Sequence, residues 1–365
     1  MPSTRSLLAE LARLTRPDRA AAWDPVGLQF GDPDREVERI AVCHEVSGAT
    51  TRSIIDAAPD LVVAYHPLLF RPTTRLVAGP GPGGRAFSLI SAGIGLAVTH
   101  TDFDGAPGGT ADSLASALGL GSVEAFGPVA GRDQVKLVTF VPDDAVEAVV
   151  EAMAAAGAGR IGNYDTCSFR TAGEGTFRAG EGAHPVTGRA GDFNVEPEVR
   201  VEMLAPKSRQ DLVIAALVGA HPYEEPAFDV YEVHSNHGFI GRVGERGGTL
   251  SGLVADVREN LGDFGLRVAG DPGRPLGRVA VVPGSGSSFI DQAPSVGAEV
   301  IVTGDVDHHR AVAALEAGIA VVDPGHAATE RPGMRALVEL VGGLGVEIID
   351  LTVEGGGPWT RRLPE

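Results

Sequence analysis

The sequence predicts an α/β protein in which one open-sheet domain is split by a smaller inserted α+β domain. Three observations carry this. Short apolar runs alternate with helix-patterned segments over residues 1–129 and again over 237–365, the pattern of helices packed on a sheet. Between them, over 130–236, the order changes to β-α-β-β-α-β, which suits a ferredoxin-like unit. The length, 365 residues, exceeds one ordinary core and matches two domains of roughly 150 residues each.

The elements follow in order. Residues 4–15 place apolar side chains at helical spacing and open the chain with an amphipathic helix. WDPVGLQFGDP, from Trp23 to Pro33, is a turn-rich entry with an aromatic anchor. RIAVCHEV reads as a strand, GATTRSIIDAA as a helix and DLVVAYHP as a buried strand. GRAFSLISAG is a helix, IGLAVTHTDFD a strand, and GGTADSLASALGL a helix with Thr110 as its N-cap. After Gly131 the insert runs QVKLVTFVP (strand), DDAVEAVVEAMAAAG (helix), DTCSFRTAGEGTF (strand with glycine turns), VRVEMLAP (strand), RQDLVIAALVGA (helix) and AFDVYEV (strand). Beyond residue 240, LGRVAVVP, AEVIVTGD and GIAVVDPG are strands, the last two each leading into a helix. The two halves of the split domain read as distant internal repeats, since strands in both end in loops bearing Asp or His.

Composition excludes several classes. Hydrophobic residues make up 43% and charged residues 21%, which is a globular chain rather than a disordered one. Acidic residues outnumber basic ones by 48 to 30, for a net charge of −18. Nucleic acid and anionic membranes are therefore not expected partners, because both call for a basic footprint. Two cysteines, Cys43 and Cys167, exclude a disulfide framework and a Cys-rich zinc site. No leader pattern or membrane-length apolar run is seen, so the expected location is the cytoplasm.

Chemistry concentrates at strand ends. His66 follows LVVAY, and His100, Asp102 and Asp104 follow GLAVT. Asp305, His308 and His309 follow AEVIVTG, and His326 follows IAVVDPG with Glu330 four residues on. Ligands of open α/β sheets bind at the carboxyl ends of strands. His326 and Glu330, at i and i+4, share one face if a helix starts after Gly325, and both can then reach one ion. The alternative is a histidine making a local contact at a helix start. With His66 and Asp104 added, the set reads as a divalent-metal site, and imidazole with carboxylate suits zinc, iron or manganese. Three other features are weaker. GSGSS (284–288) reads either as an anion nest or as a tight βα loop. HPYEEP (221–226) reads as a structured loop, and Cys43 as a small buried residue.

These motifs resemble the Nif-three-like dinuclear metal centre family, in its long form with an inserted CutA/PII-like domain. The resemblance runs through WDPVGLQFGD, AYHPLLF, HTDFDGAPGG, TGDVDHH and DPGHAATE, and in the insert through NYDTCSFRTAGEGTFRAGEGAHP and AHPYEEPAFDV. It implies a toroidal homohexamer with two divalent ions per subunit. It also implies His66, Asp104 and His326 as ligands, and Glu330 as the carboxylate that bridges the ions. Tyr65 stands where the family motif has its first histidine, so one ion instead of two is an open alternative. Phenol is a poorer ligand than imidazole at neutral pH, and His44 is a candidate substitute. His100, Asp102, Asp305 and His309 are candidates for orienting the ligands or moving protons.

Family members often carry the label GTP cyclohydrolase I type 2 homologue. That label implies metal-assisted hydrolysis of a nucleotide-like or small phosphorylated or heterocyclic substrate, with Glu330 as the catalytic carboxylate. The competing expectation is a non-catalytic metal-binding ring whose insert senses a small-molecule effector.

Overall fold

The structure is a computed structural model and describes residues 1–129, 134–161, 164–180, 182–233, 238–262 and 265–353. His234 and His237, and both joins of the insert, lie outside the described residues. The chain divides into two compact units: Met1–Gly131 with His237–Glu365, and Arg132–Asn236.

The first half of the larger unit comprises α1 (Thr4–Thr15), β1 (Gly27–Phe30), β2 (Arg39–Cys43), α2 (Gly48–Ala57), β3 (Leu61–Ala64), α3 (Pro82–Ser91), β4 (Gly95–Val98), α4 (Thr101–Gly105), α5 (Thr110–Ala117) and β5 (Gly121–Val129). The smaller unit holds β6 (Gln134–Val141), α6 (Val146–Ala155), β7 (Phe169–Arg178), β8 (Phe193–Pro206), α7 (Gln210–Ala220) and β9 (Phe228–Val233). The chain then returns as β10 (Gly238–Glu245), α8 (Leu250–Asn260), β11 (Arg267–Ala269), β12 (Arg278–Ser285), β13 (Val300–Gly304), α9 (His308–Glu316), β14 (Ala320–Asp323), α10 (His326–Gly342) and β15 (Glu347–Asp350). A 3-10 segment, Ser287–Val296, links β12 to β13. Among the described residues, no helix is long and apolar enough to cross a membrane.

Two mixed sheets build the larger unit, in the orders β1-β4-β3-β2-β15 and β11-β14-β13-β12-β10-β5. In each, the three strands β2-β3-β4 or β12-β13-β14 run parallel, and β1 or β11 pairs antiparallel at the edge. The parallel strands are apolar on both faces because both faces are covered. Ile40, Val42, Leu61 and Val63 face α1 and α10, while Ala41, Cys43, Val62 and Ala64 face α2 and α3. In the second sheet Val279, Val281, Val300 and Val302 face α5 and α8, while Ala280, Val282 and Ile301 face α9 and the 3-10 segment.

The two halves are thus one motif used twice, with an exchange. The first half sends α5 and β5 to the second sheet, and the second half sends α10 and β15 to the first. The sequence carries the same signal: GDPDREVERIAV (31–42) matches GDPGRPLGRVAV (270–281). The glycine that opens each stretch has positive φ, +125° for Gly31 and +142° for Gly270. A Cβ on Gly31 would lie 2.9 Å from Gly95 Cα, and one on Gly270 would lie 2.8 Å from Ala320 Cβ. Both positions therefore require the bare backbone that only glycine supplies.

The smaller unit is a four-stranded antiparallel sheet in the order β7-β8-β6-β9. Val135, Leu137, Val141, Val201, Met203 and Ala205 form its apolar face, which α6 and α7 cover.

Two local expectations are corrected. The strand read over IGLAVTHTDFD ends at Val98, and Thr101–Gly105 is a short helix. Asp102 accepts from the His100 amide at 2.7 Å and the Thr99 hydroxyl at 3.2 Å, which turns the chain out of the sheet. The cap of α5 is Gly109, not Thr110. A Cβ at Gly109 would meet the Phe103 carbonyl at 1.8 Å.

Candidate metal centre

The carboxyl ends of the parallel strands of both sheets meet around one cavity. His44 follows β2 directly, and His66 leaves β3 after Tyr65. His100 and Asp104 follow β4, Asp305 follows β13, and His326 and Glu330 lie in the first turns of α10. The cavity has a volume of about 630 Å³, and its lining includes His44, His66, His100, Asp104, Asp305, His326 and Glu330. Trp23 and Phe70 form an aromatic wall, with ring centroids 5.8 Å apart.

Glu330 is the centre of the cluster. It is 1% exposed and three imidazoles converge on it. His44 Nε2 lies 2.8 Å and His66 Nε2 3.0 Å from its Oε2, while His326 Nε2 lies 3.0 Å from its Oε1. Burial opposes a charge on Glu330, but the imidazoles of His66, His326 and His44 outweigh it and hold the carboxyl well below its ordinary range. At His66 burial dominates and lowers the pKa, with Glu330 pulling the other way. At His326 burial is overcome by Glu330 and by Asp305, whose Oδ2 lies 2.7 Å from Nδ1, and the pKa rises to about 9.

His44, His66 and Glu330 each offer a donor atom within 4.8 Å of the others, close enough to share one ion. The set fits a divalent cation in three further ways. Nitrogen and carboxylate donors suit zinc, iron or manganese. Asp305 orients His326 from behind, as carboxylates do for ligating histidines. Gly284 keeps space open: a Cβ there would lie 2.7 Å from Glu330 Oε1 and 3.2 Å from His326 Nε2.

The other predicted residues take different places. Tyr65 is 1% exposed and donates its hydroxyl proton to Asp104 Oδ1 at 2.6 Å, so the geometry pairs these two with each other. Burial and the neighbouring carboxylates of Asp104 and Glu330 push the phenol well above its ordinary pKa. Tyr65 is therefore a neutral hydrogen-bond donor in this arrangement. Burial raises Asp104 to about 7, against the pull of His100 and Tyr65.

His100 is bound through Nδ1 to Asp24 Oδ2 at 3.1 Å, and Asp24 also accepts from the Thr101 amide at 2.9 Å. Burial disfavours the charged imidazole, but Asp24, Asp104 and Glu330 raise its pKa. Asp102 supports the backbone under His100 and is not part of the cavity lining. His309 is exposed on α9, edge-on to His308 and outside that lining.

In GSGSS both glycine amides are engaged within the protein. The Gly284 amide donates to Thr329 Oγ1 and the Gly286 amide to Thr303 Oγ1, each at 2.8 Å, so neither of these two donors is offered to an anion. In HPYEEP, His221 Nε2 donates to the Phe140 carbonyl at 2.9 Å and Nδ1 accepts from the Tyr223 amide at 3.1 Å. Burial, with Glu45 nearby, pushes the Cys43 thiol up to about 12, which leaves it unreactive.

Fold and cluster together define an α/β protein whose larger, two-sheet unit carries a buried histidine–carboxylate group able to hold a divalent cation. The chain belongs to the Duf34/NIF3 (NGG1p interacting factor 3) family, whose model matches residues 2–354. A Mycobacterium tuberculosis relative named GTP cyclohydrolase 1 type 2 homolog is 38% identical over 327 residues, covering 87% of this chain and 85% of the relative. A Bacillus subtilis relative of the same name is 36% identical over 312 residues, covering 84% and 83%. Among solved structures, a Bacillus cereus protein related to NIF3 aligns with a TM-score of 0.61 at 34% identity over 96% of both chains. A Staphylococcus aureus protein aligns with a TM-score of 0.63 at 25% identity over 98% of both.

Proposed function

We propose that this chain is a divalent-metal-dependent hydrolase acting on a nucleotide-like or other small phosphorylated or heterocyclic substrate. The observation that carries the reading is the buried Glu330 carboxylate beneath three imidazole nitrogens, on the lining of a cavity large enough for such a molecule. His44, His66, His326 and Glu330 would hold the cation. The chemistry it supplies there is Lewis-acid polarisation of a substrate oxygen and activation of water.

The remaining steps belong to this chain's own residues. Asp305 fixes the ring of His326, and Gly284 leaves room over Glu330. Asp24 holds His100 by Nδ1, so Nε2 is the ring atom left to exchange a proton with a molecule in the cavity. Trp23 and Phe70 offer an aromatic wall for a flat ring and limit water on that side. The name of the relatives makes GTP the first substrate to try.

The test is a screen of nucleotide and phosphoester hydrolysis with added zinc, manganese or iron. Turnover is expected to vanish in Glu330→Gln, and turnover that survives it contradicts this mechanism.

A second reading has its own observation. The smaller unit has the β-α-β-β-α-β order of a ferredoxin-like, CutA/PII-like domain and contains a cavity of about 460 Å³ lined by Phe140, Phe177, Tyr223 and Glu198 among others. In that reading the protein is a homohexameric metal-binding regulator whose insert takes a small molecule. Hexamers in sedimentation, effector binding to the insert and no turnover on any substrate would favour it.

A further inference from the structure

We propose that this chain holds a single divalent ion, with His44, His66, His326 and Glu330 as one centre and the Tyr65–Asp104 pair filling the position of a second. The proposal rests on the metal reading above and departs from the two-ion site that the family motifs imply.

The argument begins at the exit of β3. Tyr65 and His66 are consecutive and take different partners: His66 Nε2 lies 3.0 Å from Glu330 Oε2, whereas the Tyr65 hydroxyl donates to Asp104 Oδ1 at 2.6 Å. Both members of the second pair are sealed in, Tyr65 at 1% and Asp104 at 4% exposure. The phenol oxygen is engaged as a donor and Asp104 Oδ1 as its acceptor. One short hydrogen bond thus joins two side chains that a second ion would have to separate.

His44 makes up the donor count. It enters from the end of β2, outside the family ligand motifs, and its Nε2 lies 2.8 Å from Glu330 Oε2. Its ring stacks on Tyr65, with centroids 5.6 Å apart and planes 16° from parallel. The residue that blocks one position therefore packs the ring that completes the other. Among the described residues, the group whose donors lie within 4.8 Å of one another is His44, His66 and Glu330. Asp104 and His326 both lie outside it, but His326 Nε2 reaches Glu330 Oε1 at 3.0 Å, whereas Asp104 is engaged by Tyr65.

The experiment strips the full chain with a chelator, reloads it with zinc or cobalt(II), removes excess ion and counts metal per chain by mass spectrometry. One ion is expected in the wild type and in Tyr65→Phe, and two in Tyr65→His. His44→Ala should weaken zinc binding by about 10–100-fold in a competition titration, a range set by losses of neighbouring groups at metal sites. Two ions in the wild type overturn the proposal, and so does His44→Ala binding as tightly as the parent. If Tyr65→His does not fold, ferric loading of the wild type decides: a visible phenolate-to-iron band would place Tyr65 on the ion and overturn it. A wild type that binds no ion fails the metal reading itself, an outcome distinct from binding two.

Discussion

His326 is the residue at which pH and stability are linked and, on the proposed metal reading, the ion as well. Its pKa rises to about 9 because Glu330 and Asp305 outweigh the effect of burial. A raised pKa stabilises the fold fully below the unfolded value of about 6.5, and that contribution is lost as pH rises through about 9. The metal-free protein should therefore melt at lower temperature as pH goes from about 7.5 to 9, and His326→Ala should flatten that fall. An equally steep fall in the variant would move the effect to other groups. Ligation needs the neutral imidazole, so zinc uptake near pH 7.5 should release about one proton from His326. Calorimetry in buffers of different ionisation enthalpy measures it, and zero release removes His326 from the ion's donors. Gly284→Ala places a methyl group 2.7 Å from Glu330 Oε1 at φ +64°. We expect at least about tenfold weaker zinc binding, with a stability loss of about 1–2 kcal/mol from the left-handed backbone. Unchanged affinity would show that the cluster relaxes around it. His66, Asp104, His326 and Glu330 were legible in sequence because each follows an apolar run that reads as a buried strand. The Tyr65–Asp104 bond was not, since residues 39 apart meet only once the strands are in register.

At the scale of elements, the contact between α5 and α10 is tightly confined. A Cβ on Gly333 of α10 would lie 2.7 Å from Thr110 Cα of α5, and backbone cannot step aside as a side chain can. Gly333→Ala should cost about 1–3 kcal/mol by overpacking, read from the denaturant midpoint. A loss within about 0.5 kcal/mol would mean the helices separate freely. The central strands were readable because they are buried on both faces and appear as continuous apolar runs. β1, β5, β10, β11 and β15 were not assigned. β1 and β11 are edge strands of only four and three residues. β5 is exposed over its first five residues, and β10 carries glycine at three of its eight positions. Their strand character comes from pairing rather than from local pattern. The GDP turns at 31–33 and 270–272 were the clearest trace of the repeat, and their meaning depends on which neighbouring backbone each glycine touches.

For the whole molecule, the two strand ends of the larger unit that flank the insert in sequence lie side by side. Val129 at the end of β5 and Gly238 at the start of β10 are register partners in an antiparallel pair, which sets their Cα atoms about 5 Å apart. Replacing residues 130–237 by a short Gly/Ser loop should leave zinc binding by the larger unit within about threefold of the parent. A larger loss, on the order of 1.4 kcal/mol or tenfold, would show that the insert supports the centre. The larger unit has no comparable seam. β15 pairs with β2, matching Glu347 to Arg39, and Glu330 is 286 residues from His44 in sequence. During translation at about 5–20 residues per second, Glu330 emerges tens of seconds after His44. A nascent chain in that interval presents His44 and His66 with no carboxylate between them and the first sheet without its closing strand. On the proposed metal reading, loading with an ion therefore falls to the finished polypeptide, and a chain halted before α10 is expected to retain no zinc.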